Sequence, residues 1–187
     1  MGPSKRCTVT TRDGVELLVR RLDMSDARAL QAFNSALSLQ SRQKFKPHAY
    51  DDATVLRALR RSQNGDDYVL GAFDADQLVG YFFLWRVRER VPLLGIGILD
   101  AFQHRGLGRQ MMELLIHHAV EAGRDGIELT TVPDNQNAFA LYGKCGFQYY
   151  GDVKNRAGDG RVVVERAMFY PIKDGAKPME GEHGPPV

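Results

Sequence analysis

A glycine-rich turn, Gln103-His104-Arg105-Gly106-Leu107-Gly108, carries the residues whose types and spacing could do chemistry. Apolar residues at helical spacing follow it, so its glycines lie where a helix begins. A helix start leaves about four backbone N–H groups without partners, and the peptide dipoles add roughly half a positive charge there. Glycines let a phosphate approach those groups closely, and Arg109 adds charge beside Arg105. The turn therefore predicts an anion site, although an ordinary glycine-marked helix entry has the same pattern.

The elements on either side of this turn alternate between strand and helix. A short apolar run, Leu93 to Leu99, leads into the turn, and a helical pattern follows from Gly106 to Ala122. A second β-rich run spans Gly126 to Val132, and a second helical pattern spans Gln136 to Lys144. The order strand, turn, helix, strand, helix predicts an α/β protein in which the turn joins a strand to a helix.

Two glycines interrupt the strand that leads into the turn. Gly95 and Gly97 are two residues apart, so they lie on the same face of the strand. Glycine weakens a strand unless something approaches that face closely. We expect either a ligand or a closely crossing helix there.

Turn residues and alternation predict the remaining elements. Asp13-Gly14 lies between two alternating runs and predicts a hairpin, and capping residues at 23–26 precede a first helix. The segment from Ser38 to Tyr50 has poor periodicity and a proline, so we expect an irregular connection. A second helix begins near Asp51 and ends at Asn64-Gly65. Two further strand pairs are predicted, 68–73 with 78–86 and 147–153 with 162–170.

Composition is that of an ordinary globular protein. The 187 residues suit one domain, with a hydrophobic fraction of 43% and a charged fraction of 26%. A formal net charge of +2 is too small to indicate nucleic acid or a membrane surface as a partner, and no apolar run predicts a membrane span. Cys7 and Cys145 form neither a disulfide framework nor a metal pattern. We expect a cytoplasmic protein with reduced cysteines and no metal.

The two ends of the chain differ from the part between them. Residues 1–6 are typical of a flexible N-terminus, and residues 171–187 contain four prolines and three glycines with few apolar residues. Such a segment cannot bury enough apolar surface to fold. We therefore expect one domain over residues 7–170 and a disordered tail over 171–187.

Two motifs in sequence resemble a known family. Gln103-x-x-Gly106-x-Gly108 fits the signature Q/R-x-x-G-x-G/A of the GNAT N-acetyltransferases, and Asn135-x-x-Ala138-x-x-Leu141-Tyr142-x-x-x-Gly146-Phe147 is similar to the second motif of that family. The resemblance covers roughly residues 15–170 and is most specific over 93–150. It implies the GNAT fold, an α/β structure with a central, mixed, twisted sheet of about six to seven strands flanked by about four helices. His104 replaces a glycine that many members have.

The resemblance also implies acetyl-CoA as the co-substrate. Its pantetheine arm would pair like an extra strand against the end of the Leu93–Leu99 strand, and its diphosphate would lie on the glycine-rich turn. A side chain at the start of the second helix would touch the CoA arm. The cofactor-binding residues implied in this way are Ile98, Leu99, Gln103, His104, Arg105, Gly106, Leu107, Gly108, Arg109 and Asn135.

The chemistry implied by the resemblance is direct attack of an amine on the thioester. Tyr142 stands where the family often places its general acid, and a tyrosine hydroxyl keeps a proton that it can give to the leaving sulfur. Packing on an inward helical face is the alternative role for this residue. Glu128 is the candidate base, although it lies two residues before Thr130, which occupies the position where some relatives have glutamate. Asp100, His48 and deprotonation through water stay open as alternatives.

The sequence thus predicts an acetyl-CoA-dependent N-acetyltransferase that acts on a primary amine of a small molecule. A protein lysine or N-terminal acetyltransferase is one alternative, and a non-catalytic acyl-CoA-binding module of the same fold is another. The retained Tyr142 argues against the module. A nucleotide-binding P-loop is excluded because no Lys-Ser/Thr pair follows Gly108. Both a monomer and a homodimer are compatible with the sequence.

Overall fold

The computed structural model of the protein describes residues 6–156, 160–179 and Pro186. Eight strands in these residues form one sheet. They are β1 (Cys7–Thr10), β2 (Glu16–Arg21), β3 (Tyr68–Asp74), β4 (Gln77–Trp85), β5 (Leu93–Ile98), β6 (Gly126–Thr131), β7 (Gln148–Arg156) and β8 (Val162–Pro171).

Five α-helices occur in the described residues: α1 (Ala27–Ala36), α2 (Leu39–Lys44), α3 (Asp52–Asn64), α4 (Leu107–Glu121) and α5 (Gln136–Lys144). The ends of α3 follow the capping signals in the sequence. Asp51 accepts the Thr54 N–H at 3.0 Å, and Gly65 ends the helix in the left-handed conformation, at φ 76°. Helix α2 lies in the segment expected to be irregular. It is only six residues long, and the Ser38 hydroxyl caps it, so no apolar stripe revealed it.

The sheet has the strand order β1-β2-β3-β4-β5-β6-β8-β7. All neighbouring strands are antiparallel except β5 and β6, which are parallel. The predicted mixed α/β sheet is confirmed, with eight strands instead of six to seven and five helices instead of four. The pairing of β5 with β6 is confined to Leu93 and Glu128, so the two strands diverge beyond that point.

This divergence leaves one edge of β5 open. Leu99, directly after β5, donates its N–H to the Val79 carbonyl at 2.9 Å, and hydrogen-bonded pairs alternate along an antiparallel ladder. The main-chain groups of Ile96 and Ile98 therefore point away from β4. They face the gap that opens between β5 and β6.

Two apolar layers cover the sheet. Tyr81 and Phe82 are neighbours on β4 and point to opposite faces. Phe33 of α1 contacts the Tyr81 ring on one face, with the ring centroids 6.3 Å apart. Helix α4 covers the other face, where a Cβ added at Gly108 would be in van der Waals contact with Ile98. The helix contributes four large, fully buried apolar side chains: Leu107, Met111, Met112 and Leu115.

The glycines of β5 lie on the same face as Tyr81. Gly95 pairs with Phe83, and Gly97 pairs with Tyr81. A Cβ atom at Gly95 would overlap the Phe83 ring, and one at Gly97 would overlap the ring of Phe45, directly after α2. Aromatic side chains thus fill the space that the sequence analysis assigned to a ligand or a crossing helix.

Part of the predicted C-terminal tail is among the residues that the structure describes. Residues 1–5, 180–185 and 187 of the predicted flexible ends lie outside the described residues, and the boundaries 7–170 stay a prediction. Residues 172–179 follow β8 and contact the sheet: Lys173 Nζ lies 2.6 Å from Asp125 Oδ1, and the Met179 N–H donates to Glu128 Oε2 at 3.0 Å. None of the helices in the described part of the chain has the length and apolar character needed to cross a bilayer.

Candidate functional site

A cleft of about 740 Å³ opens where β5 and β6 diverge. The N-terminus of α4 follows β5 on one side of it, residues of β7 and β8 lie beyond β6 on the other, and residues of α2 also line it. Seven of the ten predicted cofactor-binding residues line this cleft: Ile98, Gln103, His104, Gly106, Gly108, Arg109 and Asn135.

The start of α4 presents free backbone donors to the cleft. Gly106 precedes the helix at φ 86°, which glycine adopts without steric cost, and it has no side chain that could cap the helix. The first bond into the helix runs from the Gln110 N–H to the Gly106 carbonyl at 3.4 Å. The N–H groups of Leu107, Gly108 and Arg109 precede that bond, so the helix leaves them without partners. Residues 106–109, called the amide cradle below, therefore form an anion-binding helix terminus.

Gly108 is the point where three elements meet. A Cβ atom on this residue would lie 3.0 Å from Leu141 Cδ2 of α5 and 3.5 Å from Ile98 Cδ1 of β5. A larger side chain has no room without displacing one of them. The second glycine of the motif is thus required by packing as well as by access to the amides.

Three of the predicted residues keep their side chains out of the cleft. Leu107 is 1% exposed and belongs to the core, while Leu99 is buried and its N–H is already bonded to Val79. Arg105 forms an ion pair with Asp13 at 2.7 Å. The structure therefore brings Leu107 to the site only through its backbone N–H, and it leaves Ile98 as the better placed backbone donor on β5.

Gln103 supports the turn with its side chain. Its Nε2 donates to the Ile98 carbonyl at 3.0 Å and lies 3.2 Å from Ser41 Oγ of α2. These bonds connect the turn both to the end of β5 and to the segment that covers the opposite face. The glutamine of the motif is thus explained by its contacts within the protein.

The β1–β2 hairpin covers the outer side of the amide cradle, a contact that the sequence analysis missed. The Arg12 N–H donates to the Arg105 carbonyl at 2.8 Å, and Gln110 Nε2 donates to the Thr10 carbonyl at 2.9 Å. The Arg12 side chain crosses the cradle, with Cγ 3.2 Å from the position of a Cβ on Gly106. Arg12 lines the cleft, and in the described part of the chain no carboxylate pairs with it. It adds positive charge where an anion would lie.

Tyr142 of α5 lines the cleft and is 8% exposed. Its ring packs against Phe147, so the packing role and a role in the cleft coexist. Burial raises the pKa of its hydroxyl well above the ordinary value, and the nearby Cys145 and Glu165 raise it further. The hydroxyl therefore stays protonated at neutral pH, as a proton donor must.

Glu128 lies apart from the cleft. Its side chain is fully buried, and its carboxylate accepts hydrogen bonds from the Tyr150 hydroxyl and from the Met179 N–H. The structure does not bring this predicted base together with Tyr142. Thr130, two residues further along β6, does line the cleft.

Asp100 lines the cleft, but its carboxylate is already well satisfied. It accepts the Ser38 N–H at 3.0 Å, the Ser38 hydroxyl at 2.7 Å and the Ser41 hydroxyl at 2.8 Å. Burial raises the pKa of Asp100, but these hydrogen bonds outweigh burial and bring the pKa below its ordinary value. The group is therefore a weak base, and it connects the end of β5 to the segment between α1 and α2.

His48 is buried instead of solvated. Its Nδ1 lies 2.6 Å from the Ala49 carbonyl, which can only accept, so Nδ1 carries a proton. Nε2 then accepts from the Tyr81 hydroxyl at 3.1 Å. Burial lowers the pKa of His48, so the ring stays neutral, and it does not line the cleft.

Glu165 of β8 is a cleft residue that the sequence analysis did not single out. Its Oε2 accepts from Asn155 Nδ2 of β7 at 2.8 Å, and Asn155 also lies 3.3 Å from Thr130 Oγ1 of β6. Alternation on β8 was the available signal, because Val163 and Glu165 share a face. An acidic residue in an alternating strand is more typical of a solvated face, so the signal was not specific.

In the described part of the chain, no group of three or more His, Cys, Asp and Glu side chains is arranged to hold a metal ion. The residues that line the cleft provide backbone donors, basic side chains, a protonated tyrosine and two carboxylates.

The sequence model of the acetyltransferase (GNAT) family matches residues 32–147, which include the whole cradle and all of α5. The chain belongs to the GNAT family. The chain is 28% identical over 99 residues to mycothiol acetyltransferase from Corynebacterium efficiens, a match that covers 52% of this chain and 33% of the relative. It is 35% identical over 89 residues to the N-alpha-acetyltransferase RimI of Mycobacterium tuberculosis, covering 46% and 54%. The chain thus spans about half or less of the length of these relatives.

Solved GNAT structures have the same fold. The GNAT domain of S. lividans PAT superimposes with a TM-score of 0.75 at 19% identity, over 89% of this chain and 97% of that domain. The predicted GNAT fold is confirmed.

Proposed function

We propose that this GNAT protein transfers an acetyl group from acetyl-CoA to a primary amine by direct attack on the thioester. One observation carries the proposal: the amide cradle, the open edge of β5 and the protonated hydroxyl of Tyr142 all face one cleft. These are an anion site, a surface for an extended chain and a proton donor. Acetyl-CoA has a diphosphate, an extended pantetheine arm and a thiolate leaving group that match them in order.

The cofactor would lie along β5. Its diphosphate accepts hydrogen bonds from the N–H groups of the cradle, with Arg12 and Arg109 beside it. Its pantetheine amides pair with the outward main-chain groups of Ile96 and Ile98 in place of the missing part of β6. The Ile98 carbonyl already accepts from Gln103, so the N–H groups of Ile96 and Ile98 are the donors left on this edge. The one that the pantetheine arm does not use would stabilise the oxygen of the tetrahedral intermediate.

Tyr142 would supply the proton that the leaving thiolate needs. A thiol has a pKa of about 8.5, so a thiolate accepts a proton readily from a positioned donor. The raised pKa of Tyr142 ensures that the donor is present at every pH where an amine can react. Cys145 does not line the cleft, and a covalent acyl-enzyme is not needed in this scheme.

The acceptor we propose first is a small-molecule amine, and a protein amine is the second candidate. The likeness to mycothiol acetyltransferase supports the first, and the likeness to the N-alpha-acetyltransferase RimI supports the second. Both candidates require the same chemistry at the thioester.

The test is a thiol-release assay with acetyl-CoA and a panel of small amines, peptides with free N-termini and lysine peptides. Calorimetry with acetyl-CoA runs beside it. We expect acetyl-CoA to bind and at least one amine class to increase thiol release above the rate of hydrolysis. Binding without release for every amine would show a non-catalytic acyl-CoA-binding module, and the absence of binding would remove the cofactor assignment.

A further inference from the structure

The part of the cleft outside the amide cradle has an aromatic floor and a polar wall. We call it the acceptor half and define it by six lining residues: Phe45, Phe83, Trp85, Thr130, Asn155 and Glu165. The Phe83 and Trp85 rings stack with centroids 4.2 Å apart, and the Phe45 centroid lies 6.4 Å from that of Phe83. The floor offers apolar contact to a carbon chain, so polar recognition must come from the wall.

Two carboxylates line the cleft in the described residues, and they differ in what they can still bind. Asp100 accepts three hydrogen bonds from Ser38 and Ser41. Glu165 accepts one, from Asn155, and no basic side chain among residues 6–156 and 160–179 forms an ion pair with it. A carboxylate has about four lone-pair positions, so Glu165 keeps capacity for a further donor.

Glu165 has a fixed position. It lies on β8, pairs with Val153 of β7, and directly precedes Arg166, where the ladder between β8 and β6 ends. Asn155, which holds the carboxylate, is itself within 3.3 Å of the Thr130 hydroxyl. A carboxylate held by strands of a sheet is positioned more accurately than one on a loop.

Glu165 and the proposed proton donor face the same space. Tyr142 approaches the cleft from α5, and Glu165 approaches it from β8. The negative charge of Glu165 is one of the causes that raise the pKa of Tyr142, after burial and the charge of Cys145. Arg156 and Arg161 also line the cleft, and their positive charges would repel a cation. A cation that binds there therefore requires a negatively charged partner.

We propose that Glu165 binds the acceptor as an ammonium ion and removes its proton, so that the substrates are alkyl primary amines that are protonated at neutral pH. Their carbon chain lies on the aromatic floor of Phe45, Phe83 and Trp85. This inference rests on the proposed acetyl transfer and adds to it the base and the charge of the acceptor.

The protons and electron pairs balance. Glu165 takes one proton from the ammonium group, and the freed nitrogen lone pair forms a bond to the acetyl carbon. The carbon–sulfur bond breaks, and the thiolate takes the proton of Tyr142. The second proton leaves the nitrogen as the amide forms and returns to the tyrosine oxygen through water, and Glu165 releases its proton to solvent.

The experiment compares Glu165→Gln with the wild type on two amines. One is an alkylamine, which is protonated at neutral pH, and the other is an alkoxyamine, which is not. We expect kcat/KM for the alkylamine to fall by about 100-fold or more, the usual size of a lost general base, and kcat/KM for the alkoxyamine to fall by less than about tenfold. A purely structural role of Glu165 would lower both equally.

Glu16→Gln is the matched control, because Glu16 is exposed at the start of β2 and lies outside the cleft. Melting temperature and the acetyl-CoA Kd should be unchanged in both variants. Equal losses on the two amines, or no loss on the alkylamine, would overturn the role of Glu165 while wild-type turnover still supports acetyl transfer. If the wild type acetylates neither of these two amines, this inference fails, and the panel of small amines and peptides described above tests the proposed function separately.

Discussion

The two halves of the cleft are built in different ways. The cofactor half consists mainly of backbone groups from one short segment, the amide cradle 106–109, together with the edge of β5. The acceptor half consists of side chains from α2's C-terminal end and from β4, β6, β7 and β8, which are far apart in sequence. One half is therefore encoded locally, and the other depends on the tertiary fold.

This difference predicts different sensitivities. Backbone donors survive most substitutions of neighbouring side chains, but they are lost when a Cβ atom or an acid blocks access to them. Side-chain groups such as Tyr142 and Glu165 act individually, so removal of one functional group should change turnover and leave cofactor affinity intact.

Gly108→Glu should abolish acetyl-CoA binding, with Kd rising by at least about 100-fold, which corresponds to about 2.7 kcal/mol. A side chain here meets Leu141 and Ile98, and its carboxylate would repel the diphosphate. Calorimetry measures the effect. Gly143→Glu is the control, because Gly143 is exposed on α5 with no atom within 4 Å of an added Cβ. Similar affinities for the two variants would show that the cradle does not bind the cofactor.

Tyr142→Phe should lower kcat by about 100-fold and leave the acetyl-CoA Kd nearly unchanged, because only the proton donor is removed from a ring that still packs on Phe147. Thiol release and calorimetry give the two numbers. Tyr149→Phe, which removes an exposed hydroxyl that bonds to Asp152, should have no effect on either. A normal kcat for Tyr142→Phe would exclude this residue from the mechanism.

Arg12→Gln should weaken acetyl-CoA binding by about tenfold, the loss expected for one charge-assisted contact to a phosphate. Arg12 crosses the cradle near Gly106, so the loss should disappear with acetyl-pantetheine, which has no phosphate. Arg28→Gln, on the exposed face of α1, removes the same charge elsewhere. An equal loss of affinity for both ligands would mean that the hairpin only supports the fold, and the cofactor half would then consist of backbone alone.

The locally encoded half is the one that could be predicted from the sequence. Helical and alternating periodicity located β5, α4, β6 and α5 to within a residue or two, because each of these elements buries a regular apolar pattern. The glycines at 106 and 108 marked the cradle, because a helix start usually has Ser, Thr, Asn or Asp, and two glycines there indicate a requirement of the backbone. The structure adds a packing requirement that the sequence did not predict, because a Cβ on Gly108 would lie 3.0 Å from Leu141.

The acceptor half could not be predicted in the same way. Glu165 reaches the cleft only because β8 inserts between β6 and β7, an order that the chain sequence does not reveal. Gly97 appeared to leave room for a ligand, but Phe45 enters that space from a segment without periodicity. Glu128 appeared suitable as a base because of its strand position, and Met179 from beyond the predicted domain covers it. In each case a contact between segments that are distant in sequence determined whether the residue faces the cleft.

His104 provides the smallest test of how far the cradle depends on backbone geometry. It occupies the left-handed region at φ 61°, where a residue with a Cβ pays about 1 kcal/mol and glycine does not. We expect His104→Gly to be more stable than His104→Ala by about 1 kcal/mol in urea unfolding. The same pair of substitutions at Arg60, exposed within α3, should give the opposite order, because glycine destabilises a helix interior by about that amount. Acetyl-CoA affinity should be the same in both His104 variants if the turn keeps its shape. Equal stability of the alanine and glycine variants at position 104 would mean that the turn relaxes out of the left-handed conformation. The amide cradle would then not depend on a fixed backbone conformation at this position.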